Sequence, residues 1–149
     1  MIKIISFVDS YKHFDTAIKE YEKRLSKKID FQKLKPQKWQ PRDIIKKESE
    51  ILLQALKKEK WYKVLLFIDS KEMKTEEFMD FINDKIMNFS KVVFVIWWAY
   101  GVDFSILKEE IDFKFSLSPM TFPHIMAILI LLEQIYRTIK IRDWSSYHH

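Results

Sequence analysis

None of the 149 residues is cysteine. That absence excludes a disulfide scaffold, a thiolate zinc site, a thiol nucleophile and a dithiol redox motif. Glycine is nearly absent as well: Gly101 stands alone, where an average soluble domain of this length carries roughly ten. A fold with several turns ordinarily needs more of the backbone freedom that glycine supplies. Long apolar runs are missing too, since the longest, Ile125 to Leu132, is far short of a membrane-spanning segment and stops at Glu133. Met1 to Val8 runs into Asp9 without a small-residue cleavage site, so no signal peptide is expected and a cytoplasmic location is. The chain has no Walker loop and no dinucleotide-binding glycine fingerprint. Its four histidines, two of them adjacent at the end, lack the spacing of a ligand set, so no bound metal is expected.

What is present describes one well-filled domain. Apolar residues make up 48% of the chain, enough for a sizeable core, and 32% charged with 15% aromatic residues argues against disorder. No repeat, low-complexity stretch or linker divides it, so residues 1–149 are read as a single domain. Lysine and arginine outnumber aspartate and glutamate by 26 to 21, a net charge of +5. The excess gathers at 23–28, 33–47 and 137–142, which suits an anionic partner, nucleic acid first. The competing reading is a Lys- and Ile-rich chain that reflects genome base composition.

Hydrophobic periodicity alternates between two kinds. Ile2 to Val8, Val64 to Ile68 and Val92 to Ile96 are apolar runs too short for helices, as expected of parallel strands covered on both faces. Ile29, Phe31 and Leu34 suggest a further strand, and Phe113, Phe115 and Leu117 a fifth. Between them apolar residues recur at helical spacing over 13–26, from Asp43 through Leu56, and from Thr75 through Ile86. Thr75 is expected to cap its helix. A short helix is expected near 105–110. Thr121 is expected to cap a last helix, with Pro123 in its first turn, that runs to about Ile141. Strands alternating with helices give an α/β domain with a mostly parallel sheet flanked by helices. The last helix is apolar on every side over 125–132, so one side is expected on the sheet and the other against a second copy, as a homodimer.

In open α/β sheets ligands bind beyond the carboxyl ends of the strands. Three such ends are visible: Phe67 to Ser70, Trp97 to Gly101 and Ser116 to Phe122. Distinctive blocks run through the last two, Val92-Val93-Phe94-Val95-Ile96 followed by Trp97-Trp98-Ala99-Tyr100-Gly101 and Phe115-Ser116-Leu117-Ser118-Pro119-Met120-Thr121-Phe122-Pro123-His124, and continue in the last helix with Leu131-Leu132-Glu133-Gln134-Ile135-Tyr136-Arg137 and the ending Tyr147-His148-His149. These blocks, in this order and together with Glu20-Tyr21-Glu22-Lys23-Arg24-Leu25, resemble the ribosomal RNA large subunit methyltransferase H family over essentially the whole chain.

The resemblance implies a SPOUT-class enzyme that methylates N3 of a pseudouridine in 23S rRNA, acting as a homodimer on ribosomes, with a C-terminal trefoil knot holding S-adenosylmethionine. Position by position, it places cofactor contacts on Leu66, Trp97, Leu117, Ser118, Pro119, Met120, Thr121 and Phe122. It places the acceptor side on His124, Arg137, Tyr147 and His148. Proton handling would fall to His148, phosphate or developing negative charge to Arg137, and base stacking to Tyr147. Taken singly, His124 reads as a structural or solvated histidine, Arg137 as a surface cation compensating a helix terminus, and Tyr147 as frayed chain.

The departures from the family pattern are informative. The family usually carries Gln where Ile125 stands, Arg where Ile128 stands and Lys or Arg where His149 stands, and Pro119 replaces a basic loop residue. Trp97 and Trp98 replace a Gly-Gly pair, and two indoles there are expected to fill the cofactor pocket or force the loop outward. Such a chain would be a catalytically silent RNA-binding relative; a generic α/β nucleotide-binding module is the further alternative. Trp61 and Trp144 also stand where glycine is common, and Trp39 lies in a turn-like stretch, which accounts for all five tryptophans. The pattern implies a gene that reads UGA as glycine, translated here as tryptophan. The expected finding is UGA at these codons, read by sequencing the gene; UGG at 97 and 98 contradicts it.

Overall fold

The computed structural model describes residues 1–38, 40–97 and 101–147, and for Pro41, Arg42 and Trp144–Tyr147 it describes the backbone alone. Strands and helices alternate as β1 (Ile2–Phe7), α1 (Asp15–Leu25), β2 (Ile29–Leu34), α2 (Pro41–Lys57), β3 (Tyr62–Glu72), α3 (Thr75–Phe89), β4 (Val92–Ile96), α4 (Phe104–Leu107), β5 (Phe113–Ser116) and α5 (His124–Tyr147). The five strands pair in the order β2-β1-β4-β3-β5, and every pairing is parallel.

The unbroken apolar runs follow from covering both faces of this sheet. Along β4, Val92, Phe94 and Ile96 face one helical layer while Val93 and Val95 face the other. The first layer is α1, α3 and α5, which supply Ile18, Leu25, Phe78, Ile82, Ile128 and Leu132. The second is α2 and α4, which supply Leu52, Ala55, Leu56 and Leu107. The same alternation in β1 sends Ile2 and Ile4 to the first layer and Ile5 and Phe7 to the second, so Ser6 falls beneath the start of α5.

Several boundaries differ from the sequence reading. Lys74, not Thr75, precedes α3, and its N–H is accepted by Glu77 Oε2 at 2.7 Å. Thr75 is the first helical residue and donates its hydroxyl to Gln134 Oε1 of α5 at 3.0 Å. Thr121 does not cap α5: the helix starts at His124, and the Pro123 carbonyl accepts the Ala127 N–H, which leaves Thr121 in the preceding loop. At its other end α5 continues past Ile141 to Tyr147, because that stretch has neither Gly nor Pro to stop it. β3 extends beyond Ile68 through an irregularity between Leu66 and Lys71, with Asp69 at φ +60°.

Scarcity of glycine is met in two ways. Gly101 sits at φ +89° with open space around the position of a missing Cβ, so conformation rather than room is what that site requires. Lys12, Asp69 and Ser90 take the other positive-φ positions despite carrying side chains.

One face of α5 is built into the core through Ile125, Ile128, Leu131, Leu132, Ile135 and Ile139. Ile128→Ala should cost about 2–5 kcal/mol in urea unfolding, whereas Met87→Ala, at 84% exposure, should change stability by less than about 0.5 kcal/mol.

Candidate functional site

All five strands point their carboxyl ends to one edge, and a cavity of about 410 Å³ opens there beyond β3, β4 and β5. Three chain segments surround it: the end of β3 at Leu66–Ile68, the exit of β4 at Ile96, Trp97 and Gly101, and the loop from β5 into α5 over 115–124. Its lining is mostly apolar, with Ser116, Ser118, Thr121 and His124 supplying polar groups. A volume of this size lies within the roughly 300–1,000 Å³ typical of small-molecule sites.

The β5–α5 loop is tied to itself. The buried Ser116 hydroxyl donates to the Ser118 carbonyl at 2.8 Å, and Ser118 Oγ accepts the Met120 N–H at 3.0 Å. This short-range bonding holds an extended segment without glycine. On the opposite wall the β4 exit is anchored downstream, where Asp103 N–H donates to Oγ of buried Ser49 at 2.9 Å. Asp103 in turn caps α4 by accepting the Ser105 N–H at 3.0 Å.

His124 reaches across to the strands. Its Nε2 lies 3.1 Å from Ser6 Oγ and 3.1 Å from the Phe7 carbonyl. Burial holds the imidazole below the usual histidine range, and hydrogen bonds to the Trp97 and Phe7 backbone oppose this only in part. The ring is therefore neutral at physiological pH.

The sequence-derived residues divide clearly. Leu66, Trp97, Leu117, Ser118, Met120, Thr121, Phe122 and His124 are brought together on the cavity. Pro119 is exposed and is not among the lining residues, because the Ser118–Met120 turn points it outward. Arg137 is not brought there either. It lies about 20 Å along the axis from His124, at roughly 1.5 Å per residue, exposed and donating to Glu133 Oε1. The Tyr147 side chain and His148 fall outside the described residues, as do Trp98 and the final His149.

The Trp97 indole lines the cavity without closing it, and Trp98, the other half of the expected blockage, lies outside the described residues. The Trp97 ring packs edge-on against Phe67, ring centroids 5.6 Å apart at 65°, and Phe67 lies 6.3 Å from Phe104. Lys114 Nζ sits 3.5 Å from the Phe104 centroid, a cation–π contact that backs this aromatic wall. Residues at the cavity that sequence reading did not assign to it include Ile68, Ser116, Ala127 and, beneath it, Ser6. Only the strand-end rule pointed toward the first two, and Ser6 carries no signal beyond being a hydroxyl in an apolar strand.

In open α/β domains ligands bind in a crevice beyond the carboxyl ends of the strands, which is where this polar-tipped apolar cavity lies. Residues 1–148 match the family described as predicted SPOUT methyltransferase, and the chain belongs to that family. A Thermodesulfovibrio yellowstonii protein named ribosomal RNA large subunit methyltransferase H is 37% identical over 140 residues, 93% of this chain and 90% of its own length. A Mesoplasma florum protein of the same name is 34% identical over 154 aligned positions, 99% of this chain and 98% of its own length. A Methanococcus maripaludis protein, given that name provisionally, is 39% identical over 147, 92% of this chain and 91% of its own length. Among the described residues no cluster of His, Asp and Glu is arranged to hold a metal ion, and no helix is long and apolar enough to cross a membrane.

The loop bond is testable without ligand. Ser116→Ala should cost about 0.5–1.5 kcal/mol and speed amide exchange at Met120, read by hydrogen–deuterium exchange, while Val92–Val95 keeps its protection.

Proposed function

We propose that this protein transfers the methyl group of S-adenosylmethionine to N3 of a pseudouridine in 23S rRNA, acting on the ribosome in the cytoplasm. The observation that carries the reading is the cavity at the carboxyl edge, which gathers seven of the eight positions that the family pattern assigns to the methyl donor. The lining fits such a ligand. Leu66, Leu117 and Phe122 offer apolar cover for a heterocycle's faces, while the loop over 117–123 offers backbone groups for its edge. When bound, the donor supplies an electrophilic methyl on sulfur.

What the chain does is position. In-line displacement asks for alignment of donor and acceptor, and little covalent chemistry is required of the protein. The self-bonded loop and the anchored β4 exit each give one wall of the site a defined shape. The uridine imide must lose its proton as it attacks, and His148 is assigned that proton. Tyr147 stacks on the target base and Arg137 meets RNA phosphate.

Arg137 lies too far along α5 to serve the cavity of its own chain, and the side of α5 that carries Met126 and Ile130 is only half-buried. Both observations support a homodimer through α5, in which the tail and Arg137 of one copy serve the site of the other. A trefoil knot in the C-terminal part of the chain belongs to this reading.

A silent relative with a blocked pocket is disfavoured by the placement of Trp97 against Phe67. The purified chain should methylate large subunits lacking the modification, read by mass spectrometry of rRNA fragments with labelled donor, and Phe122→Ala should lower donor affinity about tenfold or more through lost apolar cover. Absence of donor binding by both the chain as written and its Trp97→Gly, Trp98→Gly variant would overturn the assignment.

A further inference from the structure

The Ser6 and His124 side chains meet where three segments converge: the end of β1, the exit of β4 and the first residue of α5. Ser6 is 1% exposed, a hydroxyl in the mostly apolar strand Ile2–Phe7. A buried hydroxyl is costly unless it is hydrogen-bonded, and this one is bonded on both sides. It donates to the Ile96 carbonyl at 2.6 Å, immediately before Trp97 leaves the sheet. Having given its proton to Ile96, Ser6 Oγ faces His124 Nε2 as an acceptor. The second neighbour of Nε2, the Phe7 carbonyl at 3.1 Å, can only accept. Both neighbours therefore require the proton on Nε2, which fixes the tautomer. Nδ1 is buried as well, so neither ring nitrogen is presented to an incoming nucleoside.

We infer that Ser6 and His124 are positioning residues rather than acid–base groups: a neutral clamp that sets the distance between the Ile96–Trp97 exit and the loop over 117–123, the two walls of the cavity. The clamp rests on the distances above; its consequence for methyl-donor affinity rests on the function proposed in the preceding section. His124 holds α5 by its first residue, and α5 carries the end of the loop that lines the cavity. Ser6 passes that hold to β4 through the Ile96 carbonyl. Lowered basicity of the buried ring is consistent with this role, since the hydration a charged imidazolium would lose outweighs what the Phe7 and Trp97 backbone groups return to it.

The test compares Ser6→Ala, His124→Ala and His124→Gln in the full chain. The first readout is amide hydrogen exchange without ligand. Losing the clamp should speed exchange about tenfold at Trp97 and over 120–124 in both alanine variants, while Val92–Val95 stays protected. The second readout separates S-adenosylmethionine affinity from turnover on ribosomes. The alanine variants should weaken donor binding about tenfold, with kcat at saturating donor within about threefold. His124→Gln, whose amide can donate from near the Nε2 position, should recover most of both.

Unchanged exchange in Ser6→Ala overturns the clamp. So does a His124→Gln variant with normal donor affinity and kcat reduced about a hundredfold, since that result makes His124 a proton-transfer group. Should His124→Ala fail to fold, Ser6→Ala carries the same comparison. Wild-type protein that binds no S-adenosylmethionine, with the exchange pattern as expected, removes the methyl-donor reading and leaves the clamp standing.

Discussion

A parallel sheet has to be covered on both faces, because its strands are joined by crossovers that place helices there. Most of what this protein is follows from that constraint. The central strands β1 and β4 are apolar at nearly every position, with alternate residues committed to opposite helical layers. Crossovers also bring every strand into the sheet in the same direction, so all five carboxyl ends open on one edge. The loops leaving that edge are free of the ladder and can shape a cavity, while the strands beneath hold their starting points rigid. The cavity is thus a product of topology, and its character is set by a few loop residues.

Those loops are built with little glycine, which shifts the work to side chains. Ser116 and Ser118 bond the β5–α5 loop to itself, Ser49 and Asp103 hold the far end of the β4 exit, and Ser6 with His124 closes the gap between the two. Each contact alone contributes only about 0.5–1.5 kcal/mol. Together they replace backbone freedom with short hydroxyl bridges, and Gly101 is kept where φ +89° leaves no alternative. The indole of Trp97 is accommodated by turning against Phe67, a packing partner that the strand β3 already supplies.

Much of the fold was legible in the sequence, for physical reasons. Runs such as Val92 to Ile96 are too short and too uniformly apolar to be anything but covered strands, and the helical spacing from Thr75 through Ile86 has few competing interpretations. Helix starts were less legible. Thr75 and Thr121 are good caps by type, yet Thr75 takes a tertiary partner in Gln134, and Thr121 lies in the loop that lines the cavity, three residues before α5 begins. The cavity lining was legible at Leu66, Leu117 and Phe122 through the family pattern combined with the strand-end rule. Ser6 was not legible, and its role exists only because β1 lies next to β4 and under α5. Arg137 shows the reverse: a residue type suited to phosphate, placed by helix geometry far from the cavity of its own chain.

The claim on which the functional account turns is that the space between the β4 exit and the 117–123 loop holds the methyl donor. A crystal structure of the chain grown with S-adenosylmethionine tests it most directly. The account predicts density for the ligand between Leu66, Trp97, Leu117 and Phe122, with its edge read by the loop backbone and Ser6 still bonded to His124. Density elsewhere on the molecule, or none with the donor in large molar excess, would contradict it.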